Sequence, residues 1–272
     1  MPPRAALAPG TERQNMGLEG MDWGLLLAAA ALAGFLDALV GGGGLVLVPS
    51  VFALWPQGHP ANLFALNKAV SIWGTAVAGV RYARRVRMVW AALLPAVGCA
   101  LVGSGVGAWL VTRVDPQAFR LALPWALAAL LLYTLAKKDL GLHHAPRLGA
   151  RAQAVAMALA GLLIGAYDGF FGPGTGSFLV FVLVRTLGFD FLHASAHAKV
   201  LNTASNLAAL LWFGWHGYVW WGVALGAAVA NVAGGWLGAS MALRRGAGFV
   251  RVVFLVVVAL LIAKTAHQAY AT

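Results

Sequence analysis

Charged residues are scarce in this chain of 272 residues: they make up 10% of it, whereas 61% of it is hydrophobic. Soluble domains carry about 25% charged residues, so a compact fold of this composition would lack the polar surface that water requires. Cysteine is scarcer still, because Cys99 is the only one, and this excludes an intrachain disulfide framework. The composition predicts an integral membrane protein and disfavours a soluble enzyme, a disordered scaffold and a disulfide-stapled secreted domain.

Acidic residues are the rarer charged class, with eight Asp and Glu against nineteen Lys and Arg, and the net charge is +11. In a soluble protein such an excess would suggest nucleic acid, but here we expect the basic residues to lie in loops at one membrane face. We therefore predict no nucleic-acid partner. His143, His144 and His216 fall in predicted loops without metal-ligand spacing, so we expect no metal and no cofactor.

Long apolar runs account for most of the chain, and a bilayer core needs about 20 apolar residues per helix. The runs are continuous rather than alternating, which favours helices over a β-barrel. They are residues 23–40, 45–55, 62–80, 88–111, 119–136, 154–171, 177–184, 194–213, 218–243 and 250–263. The predicted organisation is a disordered tail (1–22), a first membrane repeat (23–136), a linker (137–153), a second membrane repeat (154–265) and a C-terminal tail (266–272).

The two halves superpose without a gap when 131 is added to each residue number. Asp37 then matches Asp168, Lys68 matches Lys199, and these four charges fall clearly inside apolar segments. Each charge within a membrane costs roughly 2.5 to 3.5 kcal/mol on insertion scales, so a functional role is the default hypothesis. The structural alternative is that the four charges pair and tie the helices together, and the two roles can coexist.

A glycine cluster follows each Asp: four glycines at 41–44, and Gly-Pro-Gly-Thr-Gly at 172–176. Such runs cannot continue a stable helix, and broken segments at matching places in two halves indicate a transporter's binding site. The short runs after the breaks, near Leu45 and Ser177, would offer free backbone N–H groups to an anion. The candidate ligands at the breaks are Gly42, Gly43, Gly44, Gly174, Thr175, Gly176 and Ser177. The glycine pairs 103/107 and 234/238 are instead spaced for close helix packing.

The next helix of each repeat carries a polar stripe. Ser71 and Thr75 are spaced i, i+4, as are Asn202 and Asn206, with a Lys three residues before each pair. A stripe that faces its mate across a cavity would make a polar site with two cations. The substrate-binding side chains predicted on these helices are Asn67, Lys68, Ser71, Thr75, Lys199, Asn202 and Asn206. His197 lies near the start of its segment, where an interfacial position is expected.

The topology depends on the short runs. If residues 23–55 fold back at their glycines, each half has three full spans and the halves are inverted. The Lys and Arg outside the tail, apart from Lys68 and Lys199, then divide 12 to 3 between the two faces. With four full spans and parallel repeats they divide 9 to 6. The positive-inside rule favours the inverted arrangement. The predicted fold is an all-α integral membrane protein of two homologous four-segment repeats, about eight segments in all. The first segment of each repeat is broken by glycines.

Four stretches carry a family resemblance: Gly-Phe-Leu-Asp-Ala-Leu-Val followed by four Gly at 34–44, Leu-Asn-Lys at 66–68, Tyr-Asp-Gly-Phe-Phe-Gly-Pro-Gly-Thr-Gly-Ser-Phe at 167–178, and Ala-His-Ala-Lys-Val-Leu-Asn-Thr-Ala-Ser-Asn at 196–206. They resemble the sulfite exporter TauE/SafE family, and the likeness runs from about Trp23 to Thr265. The resemblance implies an inner-membrane, multi-pass permease of two repeats that moves sulfur-containing anions such as sulfite, sulfoacetate or related organosulfonates.

The first hypothesis is a secondary transporter that moves a small anion by alternating access. Lys68 and Lys199 would supply positive charge, while Asp37 and Asp168 would hold the lysines or carry a coupling proton. An anion channel shares these features and stays open as an alternative. An intramembrane enzyme that uses both Asp is disfavoured, because acid–base catalysis needs two different environments. The expected partners are a small anion, membrane lipid and, as an open option, further copies of the chain.

Overall fold

The computed structural model describes residues 20–114 and 145–270. Within these two ranges the chain forms eight α-helices and no strand. They are α1 (Gly20–Val40), α2 (Gly44–Leu54), α3 (Pro60–Ala83), α4 (Trp90–Val111), α5 (Ala150–Phe170), α6 (Thr175–Val182), α7 (Phe191–Trp215) and α8 (Trp221–Tyr270), with a π-helical turn (Leu183–Leu187) after α6. The helix α8 is interrupted at Gly246, where φ is 77°. The prediction of an all-helical fold is confirmed for the described residues.

Five of the described helices are long and apolar enough to cross a membrane: α1, α3, α4, α5 and the part of α8 that ends at Gly246. Helix α2, with 11 residues, is shorter than a span, and so is α6 together with the π-helical turn. Helix α7 has the length of a span, 25 residues, but a more polar composition, and it contacts α3, α4, α5, α6 and α8. The chain is thus a multi-pass membrane protein. The predicted run 119–136 lies outside the described residues, and α5 begins inside the segment predicted as a linker.

Helices α1 and α2 form a hairpin that returns the chain to the end of the bundle at which α1 begins. Trp23, near the start of α1, packs beside Gly226 of α8. The ring centroid of Trp55, directly after α2, lies 5.4 Å from that of Trp220, directly before α8. Both ends of the hairpin therefore meet the beginning of α8. We call this the aromatic end of the bundle, after Trp23, Trp55, Tyr218 and Trp220.

Helices α5 and α6 form a second hairpin, which opens at the opposite end. The N–H of Ala145, before α5, donates to the carbonyl of Gly188, after the π-helical turn, at 2.9 Å, and the N–H of Arg147 donates to the carbonyl of Leu187 at 3.1 Å. The end of α3 and the start of α7 meet here too, around one cavity. We call this the arginine end, after Arg81, Arg84, Arg85, Arg87, Arg147, Arg151, Arg185, Arg244 and Arg245.

The two hairpins meet at their glycine breaks. A Cβ atom on Gly41 or on Gly176 would overlap the backbone of the other residue. The N–H of Ser177 donates to the carbonyl of Gly41 at 3.2 Å, and its hydroxyl donates to the carbonyl of Val40 at 2.8 Å. Both breaks predicted from the glycine clusters are observed, one between α1 and α2 and the other between α5 and α6. Their contact places both aspartates, four residues before each break, in the interior.

Spaced glycines bring the long helices together backbone to backbone. A Cβ atom on Gly103 or Gly107 of α4 would overlap the backbone of α5, and one on Gly234 or Gly238 of α8 would overlap the backbone of α1. In a membrane, such close contact gains dispersion energy that larger side chains would prevent. The packing role predicted for these four glycines is confirmed. Helix α1 therefore lies against α8, and α5 against α4.

Candidate functional site

Two buried ion pairs form the centre of the site. The ammonium Nζ of Lys68 on α3 lies 2.6 Å from Oδ1 of Asp168 on α5, and that of Lys199 on α7 lies 2.9 Å from Oδ2 of Asp37 on α1. All four residues are buried. Each pair joins the N-terminal half of the chain to the C-terminal half, so the pairs are crossed. Their contact satisfies charges that would otherwise be too costly at this depth.

A hydroxyl group completes the surroundings of each aspartate. Thr75 on α3 donates to Oδ2 of Asp37 at 2.8 Å, and Ser205 on α7 donates to Oδ2 of Asp168 at 2.7 Å. The internal symmetry does not mark Ser205 as a site residue, because its repeat mate is Gly74. A signal was present in the helical spacing, since Ser205 lies three residues after Asn202 on the same face.

The ammonium group of Lys199 has donors to spare. Its Nζ is inaccessible to solvent and, apart from the ion pair with Asp37, donates no well-aligned hydrogen bond within the described residues. An ammonium carries three donors, and one carboxylate oxygen does not satisfy them all. An additional acceptor next to this group would therefore gain a charge-assisted hydrogen bond.

A small cavity lies between the two pairs and the two breaks. Its volume is about 20 Å³, which holds about one water molecule. Eleven of the predicted site residues line it, together with the break residues Gly41 and Gly172. The eleven are Asp37, Gly44, Asn67, Lys68, Ser71, Thr75, Asp168, Thr175, Gly176, Asn202 and Asn206. The structure thus brings the polar stripes of α3 and α7 together with the beginnings of α2 and α6.

The remaining predicted site residues lie around this cavity without lining it. Ser177 directs its hydroxyl to Val40, so it holds the two hairpin tips together. Lys199 lies behind the carboxylate of Asp37. The other members of this group are the break residues Gly42, Gly43 and Gly174.

The free N–H groups expected near Leu45 and Ser177 do not include those of these two residues themselves. The N–H of Leu45 donates to the carbonyl of Gly42 at 3.1 Å, and the N–H of Ser177 donates to the carbonyl of Gly41 at 3.2 Å. The second bond arises because the two hairpin tips touch, which no local pattern could indicate. Of the residues predicted to bind an anion at the breaks, Gly44, Thr175 and Gly176 line the cavity, and Thr175 also donates from its N–H and its hydroxyl to the carbonyl of Gly172.

The polar stripes are partly satisfied within their own helices. Asn206 donates from Nδ2 to Oδ1 of Asn202 at 3.3 Å, and Ser71 donates to Oδ1 of Asn67 at 3.5 Å. Both bonds are long for their types. A ligand with strong acceptor oxygens can therefore compete for the donors of these side chains.

His197, for which an interfacial position is predicted, is completely buried inside the protein, beside the start of α4. Its Nδ1 lies 2.7 Å from the carbonyl of His193, and its Nε2 accepts the N–H of Val89 at 3.0 Å. Together these bonds require the neutral ring with the proton on Nδ1. His197 therefore binds the chain just before α4 and does not belong to the polar site.

No group of three His, Cys, Asp or Glu side chains within residues 20–114 and 145–270 could hold a metal ion. At the centre of the site each carboxylate already faces an ammonium and a hydroxyl group, both of which donate to it. The same donors could bind an anion in place of a carboxylate, whereas the lysines would repel a metal cation.

Replacing Ser205 with alanine tests the contribution of its hydroxyl group. We expect the Ser205→Ala variant to lose about 1.5–3 kcal/mol of stability, because a bond to a buried, charged acceptor is removed. The matched control is Thr203→Ala, two residues away, whose hydroxyl bonds only to the carbonyl of Lys199 in its own helix. Thermal unfolding in detergent measures both. Equal melting temperatures for the two variants would contradict the assignment.

Comparison with known proteins agrees with these features. The sequence model of the family described as "Sulfite exporter TauE/SafE" matches residues 26–265. The chain is 35% identical over 248 residues to "Probable membrane transporter protein YfcA" of Escherichia coli K12, covering 91% of this chain and 90% of that protein. It is 33% identical over 252 residues to a "Probable membrane transporter protein" of Haemophilus influenzae, covering 90% and 94%.

A third relative is "Probable membrane transporter protein ORF9" of a Sinorhizobium species, 34% identical over 233 residues, with 85% of this chain and 87% of that protein covered. No solved structure matches the chain. The family match covers both glycine breaks and both buried ion pairs. The chain therefore belongs to the sulfite exporter TauE/SafE family of membrane transporters.

Proposed function

We propose that this chain is a secondary transporter that carries a small anion, a sulfur-containing oxyanion or organosulfonate, across the inner membrane by alternating access. The observation that carries the proposal is the pair of crossed ion pairs at the meeting point of two broken helices. Broken helices at matching positions, with ionisable groups beside the breaks, are a recurrent design of secondary transporters.

Two inverted repeats are part of the proposal. The α1–α2 hairpin enters from the aromatic end and the α5–α6 hairpin from the arginine end, which supports an inversion between the halves. The packing partners are exchanged in the same way, since α1 lies against α8 and α5 against α4. In this arrangement one repeat rocks against the other and opens the site to each face in turn.

The crossed pairs connect this movement to the ligand. Because each pair joins an aspartate of one repeat to a lysine of the other, a movement that separates the repeats lengthens both contacts. An anion that replaces an aspartate as the partner of Lys68 or Lys199 would compensate for the lengthened contact. The cavity of about 20 Å³ holds about one water molecule, so a sulfonate enters only when the repeats separate.

Charge balance predicts a coupled proton. The two lysines and two aspartates sum to zero, and a monovalent anion alone would leave one net negative charge in a medium where this is costly. If the displaced aspartate takes up a proton, the site stays neutral with a monovalent anion, whereas a dianion such as sulfoacetate requires a proton on each aspartate. Asp37 and Asp168 are the candidate proton carriers, and each would be protonated when its lysine binds the anion.

The two rival functions differ from this proposal in testable ways. An intramembrane enzyme would need one acid and one base in contrasting environments, but each aspartate here has one lysine and one hydroxyl partner. An anion channel would use the same residues without alternating access. In a carrier, unlabelled anion on the opposite side of the membrane accelerates the flux of labelled anion, whereas in a channel it does not.

We expect purified protein in liposomes to take up sulfite or sulfoacetate, and to do so faster when the outside is more acidic than the inside. Taurine, sulfate and acetate complete the panel, and protein-free liposomes give the background. The variant Arg113→Gln removes an exposed cation that lies over the ring of Trp109, away from the site, and it should take up the anion at the wild-type rate. Absence of uptake for every anion would contradict the transport proposal, and uptake indifferent to pH would contradict the coupled proton.

A further inference from the structure

A second and much larger cavity lies at the arginine end. Its volume is about 440 Å³. It is lined by Arg81, Arg85, Leu192, Ser240, Leu243 and Arg244. It shares no lining residue with the cavity between the ion pairs. The helices around it are the last turns of α3, the first turn of α7 and the end of the apolar part of α8.

Three guanidinium groups converge on this cavity. Arg81 lies in the last turn of α3, Arg85 follows two residues after the end of that helix, and Arg244 approaches from α8. No carboxylate is among the lining residues, and none of the three arginines forms a salt bridge within the described residues. Like charges that line one cavity repel one another, and an anion bound between them reduces the repulsion.

Arg81 shows the strongest sign of a missing partner. Its Nε atom is buried and has no hydrogen-bond partner within the described residues. Its guanidinium carbon lies 4.8 Å from the ring centroid of Trp236, a cation–π contact. This contact does not use the N–H groups as donors to an oxygen. The edge of a guanidinium matches two oxygens of a phosphate group.

The surroundings of Arg81 indicate where the phosphate comes from. Trp236 and Leu237 on α8 and Val80 on α3 are large apolar residues with about half of their surface exposed: 48%, 54% and 52%. In a membrane protein, exposed apolar surface of this kind faces acyl chains. A cationic cavity at the helix ends, next to such a surface, suits a ligand with an anionic head and apolar chains.

The arginine cluster is absent from the corresponding place at the other end. The residues 131 positions away are Trp212 for Arg81 and His216 for Arg85, and Arg113 alone repeats, as the mate of Arg244. Helix packing common to both halves therefore does not require the cluster. The arginine end is the face that the positive-inside rule predicts to be cytoplasmic, where anionic lipids give the surface a negative potential.

We propose that this cavity binds the headgroup phosphate of an anionic phospholipid, with Arg81, Arg85 and Arg244 as its ligands and the acyl chains along Val80 and Trp236. The site is separate from the transport site and does not depend on the transported substrate. Because α3 and α8 both contribute to it, the bound lipid would bridge the two halves of the chain at one membrane face.

The test uses the purified full-length chain in detergent and measures lipid binding by native mass spectrometry. Short-chain phosphatidylglycerol is the probe, phosphatidylcholine of the same chain length tests the need for net negative charge, and inorganic phosphate tests the need for acyl chains. We expect phosphatidylglycerol to bind about tenfold or more tightly than either of the other two, because the choline cation of phosphatidylcholine is repelled by the arginines and inorganic phosphate has no acyl chains to bury. Equal binding of both lipids, or phosphate binding as tight as that of phosphatidylglycerol, would overturn the proposal.

Variants locate the site. Arg85→Gln with Arg244→Gln changes two exposed side chains and is therefore compatible with folding, whereas Arg81→Gln also alters a buried group. We expect the double variant to bind phosphatidylglycerol about tenfold or more weakly, and the triple variant more weakly again. Arg113→Gln removes an arginine that also lies over a tryptophan ring, at 5.1 Å, but away from this cavity, and it should bind normally. Unchanged affinity in the double variant would overturn the assignment.

Discussion

Replacing Lys68 with methionine is expected to reduce stability by about 3–5 kcal/mol, because Asp168 would remain buried and charged without its cation. Lysine and methionine have similar apolar stems, so the loss reports the charge rather than the volume. Thermal unfolding in detergent, followed by loss of the monodisperse chromatographic peak, measures the effect. The control Arg113→Gln removes an exposed cation and should unfold close to the wild-type temperature.

A second change at the partner position should restore most of the lost stability. In Lys68→Met with Asp168→Asn, no uncompensated charge is left, and replacing a buried pair by neutral groups is often close to neutral in stability. The amide oxygen of an asparagine at 168 can still accept the hydroxyl of Ser205. If the single variant proved as stable as the wild type, the two charges would not form a buried pair.

The other large effect concerns Gly41, where the two hairpin tips touch. An alanine there would place its Cβ on the backbone of Gly176 and would have to adopt a φ of 78°. The left-handed backbone alone costs about 1–2 kcal/mol, and the overlap with a backbone that cannot rotate away adds to this. We expect Gly41→Ala to give little folded protein, and any folded fraction to unfold at a much lower temperature.

Gly98→Ala in α4 is the matched control, because nothing lies within 4 Å of the added methyl group. In the middle of a helix, alanine is favoured over glycine by roughly 0.5–1 kcal/mol, so this variant should be as stable as the wild type or slightly more so. Folding of Gly41→Ala at wild-type yield and melting temperature would show that the tips do not touch.

Much of the site could be predicted because its features are locally costly. Charges and glycine runs inside apolar segments are unfavourable in a membrane, so their positions mark where tertiary structure compensates for them. Asp37, Lys68 and their repeat mates could be identified in this way, and the structure brings all four together. The partner of each charge could not be predicted, since the crossed pairing depends on hairpins that enter from opposite ends.

Other features escaped prediction because they depend on contacts distant in sequence. Ser205 interacts with an aspartate 37 residues away and has a glycine as its repeat mate. His197 is buried because α4 begins beside it, 108 residues earlier in the chain. The hydroxyl of Ser177 reaches Val40 across the contact between the two tips, 137 residues away. The polar character of each of these side chains is visible in the sequence, but its hydrogen-bond partner is not.

Anion uptake by the Lys68→Met, Asp168→Asn double variant tests most directly whether the crossed pairs form the transport site. The protein is reconstituted beside the wild type and Arg113→Gln, after its stability in detergent has been measured. If Lys68 binds the anion, the folded double variant takes up sulfite or sulfoacetate at about one tenth of the wild-type rate or slower, because one charge-assisted bond is lost. Uptake at the wild-type rate by the folded double variant would contradict this, because the ion pair would then only hold the helices together.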